Sequence, residues 1–483
     1  MKKTAARISA LLMAVCLTFT YAGPLQVNAS GPGLVKDSTG AYLISSANDL
    51  NTFADWVNDG NDCDNDTIKL TADIIARDDF PMIGQYGFWS NDYFSGTFDG
   101  QGHAITVNIN SDNNYVALFG CIKNASIKNL TLNGSVVGDN DTVYQDNATG
   151  GICVHVTGKS DTAGVPFENC VNNASVIGYG SVGGIVGFCG VEGDIDHPYS
   201  CVNCTNNGNI TALDKSYCGG IIGEGSNCLN CVNTGSITAD EECAGGIIGR
   251  GGSIKMKSCQ NSGRVFSNYS AGGVVGYDNG KGSYIDCSNL GTIRCTGLYC
   301  GGIVGFEDYY IDFEAFTTMS FCYNLGDLGF VTSDNDTPTN SNGYGGLVGR
   351  VGFQRIIKIY NCYTTTGTSL NKSNLYNDLV GASASLSDSI RLYTCFTLSE
   401  HSDTDNITAL SKKQFSSGEA CYSLNYFISE AGIGARYTSY HQILNDTVAS
   451  TGVKKNGCVP KSFCRKLYCV KECGWNILQR GFK

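Results

Sequence analysis

The sequence predicts an all-β protein, a right-handed parallel β-helix with coils of about 27 residues. Two short phrases recur at a nearly constant spacing, and the runs between them are short, rich in Val and Ile, and separated by Gly, Asn and Ser. The chain holds 62 Gly but only 7 Pro among 483 residues. These repeats lack the apolar period of an amphipathic helix, and stacked strands need the backbone N–H groups that Pro lacks. A β-propeller is the rival fold, but its blades run about 40 residues or more.

The first phrase is a doubled Gly, two apolar residues and a closing Gly. In the most regular region the doubled Gly returns after 26, 27 and 29 residues. We expect Gly and Asn to recur because the corners of a coil need either positive φ or local hydrogen bonds between a side chain and the backbone. Six copies contain the doubled glycines, which are Gly183 and Gly184, Gly219 and Gly220, Gly245 and Gly246, Gly272 and Gly273, Gly301 and Gly302, and Gly345 and Gly346.

The second phrase is Cys, any residue, Asn, any residue and Gly, and it keeps step with the first. Equivalent positions of a solenoid lie above one another, so its cysteines predict an inward column of small, polarizable side chains. Disulfides between coils about 4.8 Å apart and metal ligation are the alternatives. The mature chain would hold 23 cysteines, which leaves at least one thiol unpaired in a monomer, and we favour free thiols. The phrase and its variants begin at Cys170, Cys204, Cys231, Cys259, Cys287, Cys322 and Cys362.

The ends of the chain differ from the repeats. A positively charged start and an apolar run too short for a bilayer predict a signal peptide. The tail is basic and rich in Cys, and its abrupt change of composition predicts a changed reading frame or a premature ending. The predicted divisions are the signal peptide (1–29), an N-terminal cap and opening segment (30–92), the repeats (93–400), a closing segment (401–453) and the tail (454–483).

The net charge of the chain limits the classes of molecule that the protein can bind. The whole chain carries −12, of which the signal peptide contributes +3 and the tail +7, so −22 remains on residues 30–453. That balance excludes nucleic acid and anionic membrane as partners of the main body. No second stretch of the sequence is apolar enough to predict a transmembrane segment. We therefore expect an extracellular protein, secreted or associated with the cell surface.

Together these motifs resemble the GLUG-motif repeat family of bacterial secreted and cell-surface proteins. The resemblance covers roughly residues 40–447 and begins with the run from Tyr42 to Leu50. It includes Phe94 to His103, which resembles the family's first coil, and Gln414 to Glu419 near its end. The final motif departs from the family pattern, because His441 stands where a Trp is common.

The resemblance implies an extracellular structural or adhesive module of mostly unknown ligand. We predict a non-catalytic protein that mediates adhesion or contact with glycans or host surfaces, with extracellular glycans or cell-surface proteins as partners. The alternative is a β-helix carbohydrate-active enzyme, a polysaccharide lyase or hydrolase, since the string at 99–103 is similar to the opening of pectin-degrading enzymes. We interpret that string as a turn instead. The third hypothesis is that the protein is a truncated fragment without an independent function.

Few residues stand out as a site, and none is assigned a catalytic role. Tyr309 and Tyr310 lie in a long insert, where such residues of a solenoid often bind ligands, and they are the candidate glycan-binding residues. Asp62, Asp64 and Asp66 alternate as in the opening of a Ca²⁺-binding loop, although Thr67 replaces its Gly. They are the candidates for weak Ca²⁺ binding, and no other cofactor is expected.

Overall fold

A computed structural model gives the structure of the protein over most of the repeats. It describes residues 31–85, 92–141, 147–158, 165–190, 199–308, 316–330, 343–352, 356–365, 379–383, 390–393, 395–398 and 407–410. Within these ranges, no helix is long and apolar enough to cross a membrane. The predicted signal peptide and the tail at 454–483 lie outside the described residues, as does nearly all of the closing segment.

Three parallel sheets wind along one axis and confirm the predicted β-solenoid. The first sheet contains Tyr42–Ile44, Thr67–Leu70, Thr97–Asp99, Ser126–Lys128, Phe167–Glu168, Cys201–Val202, Cys228–Leu229, Lys255–Lys257, Ser283–Ile285, Phe316–Ser320, Ile356–Tyr360 and Ile390–Tyr393. The third sheet contains Phe119–Lys123, Cys153–Thr157, Val186–Cys189, Ile222–Glu224, Ile248–Gly251, Val275–Asp278, Val304–Glu307, Val348–Val351 and Val380–Ser383.

The second sheet receives two or three strands from most coils. They are Ile74–Ile75, Ala104–Ser111, Tyr115–Val116, Thr131–Gly138, Ala148–Gly150, Val171–Asn172, Ser175–Gly183, Thr205–Asn206, Ile210–Gly219, Val232–Asn233, Ile237–Ala239, Cys243–Gly245, Gln260–Asn261, Val265–Ser267, Ser270–Gly272, Ser288–Asn289, Ile293–Cys295, Tyr299–Gly301, Tyr323–Asn324, Leu328–Phe330, Gly343–Gly345, Tyr363–Thr364, Cys395–Leu398 and Ile407–Leu410.

Within the described ranges, the helix α1 (Ala47–Asn58) packs on the first coils. The Ser46 side chain accepts a hydrogen bond from the Asp49 amide and caps the helix. Its buried face includes Phe53, whose ring lies 5.7 Å from that of Phe94 and 5.9 Å from that of Phe98. The ladder of the first sheet already begins at Tyr42, inside the segment 30–92 that the sequence predicts as cap and opening.

The register between coils explains the repeat spacing. Gly219 pairs with Gly245, which pairs in turn with Gly272 and then with Gly301. Each spacing in the sequence is therefore one full coil, and residues at the same place in the phrase lie above one another. The doubled Gly stands where the second sheet ends and the chain bends into the third sheet.

Buried asparagines from the second phrase form a continuous ladder inside the solenoid. Each Nδ2 donates to the Oδ1 of the next asparagine at 2.7 or 2.8 Å. The same Nδ2 also donates within its own coil, as Asn233 does to the carbonyl of Gly235 at 2.9 Å. The ladder satisfies polar groups that have no access to water. Its members, all fully buried, are Asn172, Asn206, Asn233, Asn261, Asn289 and Asn324.

The doubled glycines are needed for space and not for positive φ. A Cβ on Gly246 would lie 2.1 Å from the Gly273 carbonyl oxygen and 2.4 Å from Cγ of Asn261. A Cβ on Gly245 would lie 1.8 Å from the carbonyl oxygen of Ile248, just beyond the bend. None of these described glycines has positive φ. The prediction that they serve corners of positive φ is therefore wrong, because close approach of backbone and asparagine ladder sets the requirement.

Positive φ occurs instead at the residue before each cysteine of the second phrase. These residues have φ between 52° and 59°, a region that Asn and Asp tolerate better than most residues. Exposed side chains there form a second ladder, in which Asn203 donates to Asn169 and Asn230 donates to Asn203, both at 3.1 Å. The residues with this backbone are Asn169, Asn203, Asn230, Ser258, Asp286, Phe321 and Asn361.

The seven cysteines of the second phrase are all buried and lie in the predicted inward column. Throughout the described residues every cysteine is a free thiol. Cys204 Sγ donates to the carbonyl of Phe167 at 3.6 Å, in the preceding coil. Burial raises the pKa of the Cys231 and Cys259 thiols well above the usual range. Because all seven are fully buried, these side chains are small interior rungs that contact the neighbouring coils and not the solvent.

Replacing Asn233 by Ala should destabilise the solenoid strongly. The change deprives three buried groups of a hydrogen bond, namely one N–H of Asn206 Nδ2, Oδ1 of Asn261 and the carbonyl of Gly235. Since each such group costs about 1–3 kcal/mol, we expect a loss of roughly 3 kcal/mol or more in urea unfolding. Asn207→Ala is the control, because Asn207 is exposed and bonds to Asn173 at 2.9 Å. Equal losses in both variants would contradict the ladder's role.

Candidate functional site

Two columns of outward side chains meet beside the bend between the second and third sheets. In most strands of the third sheet the first, second and fourth residues are buried, whereas the third residue is partly exposed and points outward. The register stacks these residues, one per coil, in the order His155, Phe188, Glu224, Arg250, Tyr277, Phe306 and Arg350. Tyr217 and Tyr299 come from the second sheet on the other side of the bend.

We define the aromatic–arginine face as Tyr217, Arg250, Tyr277, Tyr299, Phe306 and Arg350. Three of its four rings pack together. The Tyr277 and Phe306 centroids lie 5.2 Å apart with an interplanar angle of 24°, and the Phe306 and Tyr299 centroids lie 4.5 Å apart. Phe306 and Tyr299 are mostly buried, whereas Tyr277 is partly exposed. Tyr277 is therefore the ring that the stack exposes to solvent, and Phe306 and Tyr299 hold it in place from beneath.

Both arginines lie against this stack. Cζ of Arg250 is 4.7 Å from the Tyr217 ring centroid, and Nη1 donates to the Tyr217 hydroxyl at 2.8 Å. Cζ of Arg350 is 5.0 Å from the Tyr299 centroid and 5.8 Å from that of Phe306. These are cation–π distances, and the planar guanidinium covers the rings while its remaining N–H groups stay available.

The two arginines differ in charge compensation. Nη1 of Arg250 lies 3.6 Å from a carboxylate oxygen of Glu224, whose other oxygen accepts from Ser181 Oγ at 3.0 Å. Over the described part of the chain, Arg350 makes no salt bridge, and its Nη1 donates to the Tyr299 hydroxyl. The positive charge of Arg350 is thus the less neutralised of the two.

Tyr217 and Tyr277 stay neutral over a wide pH range. Burial raises the pKa of Tyr277 to about 12, and it also raises the pKa of Tyr217, an effect that Arg250 opposes. Their hydroxyls are therefore hydrogen-bonding groups and not acids at neutral pH. The face can stack with rings and bond to polar ligands, but its phenols cannot serve as a ready base.

Arg250 and Glu224 also line a small cleft at the carboxyl ends of the third-sheet strands. The cleft has a volume of about 230 Å³ and a backbone-rich wall. A larger groove of about 1100 Å³ lies near the start of the solenoid. Tyr115 and several asparagine amides, including Asn108 and Asn110, line that groove, and they offer both donors and acceptors.

The column ends toward the N-terminus in a Cys–His pair that is not set up for nucleophilic chemistry. His155 stacks on Phe188 with centroids 5.0 Å apart and an interplanar angle of 7°. Its Nδ1 lies 4.0 Å from Sγ of Cys121. Burial lowers the pKa of His155 to about 4 and raises that of Cys121 to about 12. Both groups are neutral near pH 7, whereas a nucleophilic cysteine needs a thiolate.

The residues proposed from the sequence lie elsewhere. Tyr309 and Tyr310 fall outside the described residues, although they follow the strand that carries Phe306. Asp62, Asp64 and Asp66 share one loop, in which Asp62 Oδ1 accepts the Asp64 amide at 3.2 Å. In the ranges that the structure covers, no group of three His, Cys, Asp or Glu side chains could hold a metal ion. The weak Ca²⁺ site therefore stays a prediction without support here.

The string at 99–103 forms a turn in the structure. Asp99 Oδ1 accepts the Gln101 amide and Asn129 Nδ2, both at 3.0 Å. His103 Nδ1 lies 3.2 Å from Asp73 Oδ1. The carboxylate of Asp99 thus holds a corner of the coil, as the interpretation as a turn expects.

Sequence reasoning missed the aromatic–arginine face, although a signal for it exists. Phe188, Glu224, Arg250, Tyr277, Phe306 and Arg350 each follow the closing Gly of the first phrase directly. The residue at this position differs from coil to coil, whereas the phrase before it is nearly constant. Its meaning becomes clear only when the coils are stacked in register.

Fold and face together define a parallel β-solenoid protein with an outward aromatic and cationic surface. Among solved structures, the chain is similar to a candidate immunoglobulin A1 protease from Bacteroides ovatus, with 19% identity over 65% of this chain and 85% of that one and a TM-score of 0.44. It is also similar to an IgA1 protease, with 13% identity and a TM-score of 0.36. That match covers 73% of this chain but 21% of the other.

These similarities carry no conclusion about activity at such identities and TM-scores. No family model matches the chain, and no curated protein sequence matches it. The resemblance to GLUG-motif proteins therefore stays a prediction.

His155 should titrate far below an ordinary histidine. Its pKa of about 4 in the folded protein, against about 6.5 when unfolded, means that the unfolded state binds the proton first as the pH falls. The stability that the neutral ring contributes is therefore present above about pH 6.5 and lost as the pH falls towards 4. NMR titration should give the low pKa, and His155→Phe should lose this part of the pH dependence of unfolding. A pKa near 6.5 would contradict the buried stack.

Proposed function

We propose that this protein is a secreted or surface-associated repeat protein of the GLUG type that contacts extracellular glycans without catalysis. The aromatic–arginine face is the proposed contact surface. One observation carries the proposal, which is the partly exposed ring of Tyr277, backed by the buried rings of Phe306 and Tyr299 and flanked by two guanidinium groups. Secretion rests on the predicted signal peptide at 1–29.

The chemistry of the face suits sugars. The C–H faces of a pyranose ring are apolar and pack on aromatic rings, while its hydroxyls need donors and acceptors at the edge. Tyr217 and Arg250 supply such groups beside the stack. Rings fixed by their neighbours lose little conformational freedom on binding, so a surface of this kind can bind without a deep pocket.

The repeat also favours a surface role over a single active site. Each coil adds one outward residue to the column at the strand spacing of about 4.8 Å, so a chain-like ligand could follow the axis over several coils. Neighbouring coils differ in that residue, which gives the column a sequence of ring, carboxylate and guanidinium groups. A polymer with a repeating backbone fits such a row.

Tyr277→Ala should weaken glycan binding about fivefold, in keeping with roughly 1 kcal/mol for one aromatic contact. The measurement is a glycan array of the purified mature chain, followed by titration of the glycans that bind. Phe316→Ala is the matched control, because Phe316 is an exposed ring under Lys358 on the first sheet, away from the face. The control should bind as the wild type does.

Two results would contradict the proposal. Binding that Tyr277→Ala leaves unchanged would place the contact on another surface. Release of reducing ends or unsaturated sugars from plant or host polysaccharides would favour the alternative, a carbohydrate-active enzyme.

A further inference from the structure

We infer that the aromatic–arginine face selects a glycan that carries an isolated acidic group, with Arg350 as the residue that binds it. This inference rests on the proposed glycan contact and names its ligand class. The acidic group is a carboxylate or a sulfate on one sugar of an otherwise neutral glycan.

The charge environment of Arg350 supports this assignment. Its guanidinium lies over Tyr299 and Phe306, and no carboxylate of the described residues pairs with it. Arg250 occupies the equivalent place in another coil but is paired with Glu224. A partly buried guanidinium without a carboxylate is a strong site for an anion, since its fork of N–H groups matches a carboxylate or sulfate.

The aromatic stack places the ligand beside that charge. Phe306 precedes Arg350 in the register of the third sheet, and Tyr277 precedes Phe306. A sugar stacked on the partly exposed ring of Tyr277 would have its neighbour along the axis, towards the guanidinium of Arg350 two coils further on. Arg250 lies three coils away, roughly 14 Å along the axis, so one acidic group would meet one of the two arginines.

The net charge of the solenoid limits the ligand to few acidic groups. Residues 30–453 carry −22, and this field repels a polyanion along its whole length. The guanidinium of Arg350 can overcome the repulsion for one anionic group but not for a dense row of them. The face therefore fits a terminal or isolated acidic sugar better than a uronate polymer.

The test compares ligands that differ in one group. Sialyllactose, its methyl ester, sulfated lactose and lactose would be titrated into the purified mature chain at two salt concentrations. We expect sialyllactose or sulfated lactose to bind at least about tenfold more tightly than lactose, as a charge-assisted hydrogen bond allows. The methyl ester should fall to the level of lactose, and polygalacturonate should gain no such advantage. The sialyl and sulfate arms show which acidic group is preferred.

Substitutions of Arg350 are compared with the same substitution of Arg250, which serves as the matched control. Arg350→Gln should abolish the preference for the acidic sugar, Arg350→Lys should keep part of it, and Arg250→Gln should leave it largely intact. Equal binding of lactose and both acidic glycans by the wild type would overturn the inference while leaving the proposed function standing. Binding of none of the array's glycans would overturn the proposed function itself. The comparison of sialyllactose with its methyl ester uses the wild-type protein. It therefore tests the preference for an acidic group even if Arg350→Gln does not fold.

Discussion

The buried asparagine ladder is the interaction on which the rest of the structure depends. Each amide bonds to the next coil and to a carbonyl of its own coil, so one residue type fixes both the spacing and the turn. In a dry interior an unpaired amide costs far more than a paired one contributes. The ladder is therefore stable as a complete column, and it sets the register in which every other column is stacked.

The ladder also determines where the outward face lies. Because the doubled glycines pack directly against the asparagines, the chain can bend sharply from the second sheet into the third. The bend brings Tyr299 and Phe306 together from opposite sides. A motif that looks like a plain turn signature is thus the reason that rings and guanidinium groups share one surface.

The sequence was sufficient to predict the solenoid, because its two phrases repeat at the period of one coil. It also predicted the inward cysteine column, since equivalent positions must stack. The reason given for the glycines was wrong, because the requirement at Gly246 comes from Asn261 and from the next coil, contacts that no local rule contains. The aromatic–arginine face could not be predicted for the same reason. Tyr299 and Arg350 are 51 positions apart in the chain, and only the register brings them together.

Substitution of one packed glycine tests the central claim most directly, which is that close approach to the asparagine ladder forms the bend. Gly246→Ala would place a Cβ 2.4 Å from Cγ of Asn261, whereas in Gly252→Ala the nearest atom lies 3.3 Å away. Neither glycine has positive φ, so backbone strain is absent from both. Urea unfolding should show a loss of about 3 kcal/mol or more for Gly246→Ala and under about 1 kcal/mol for Gly252→Ala. Similar, small losses in both variants would contradict the account.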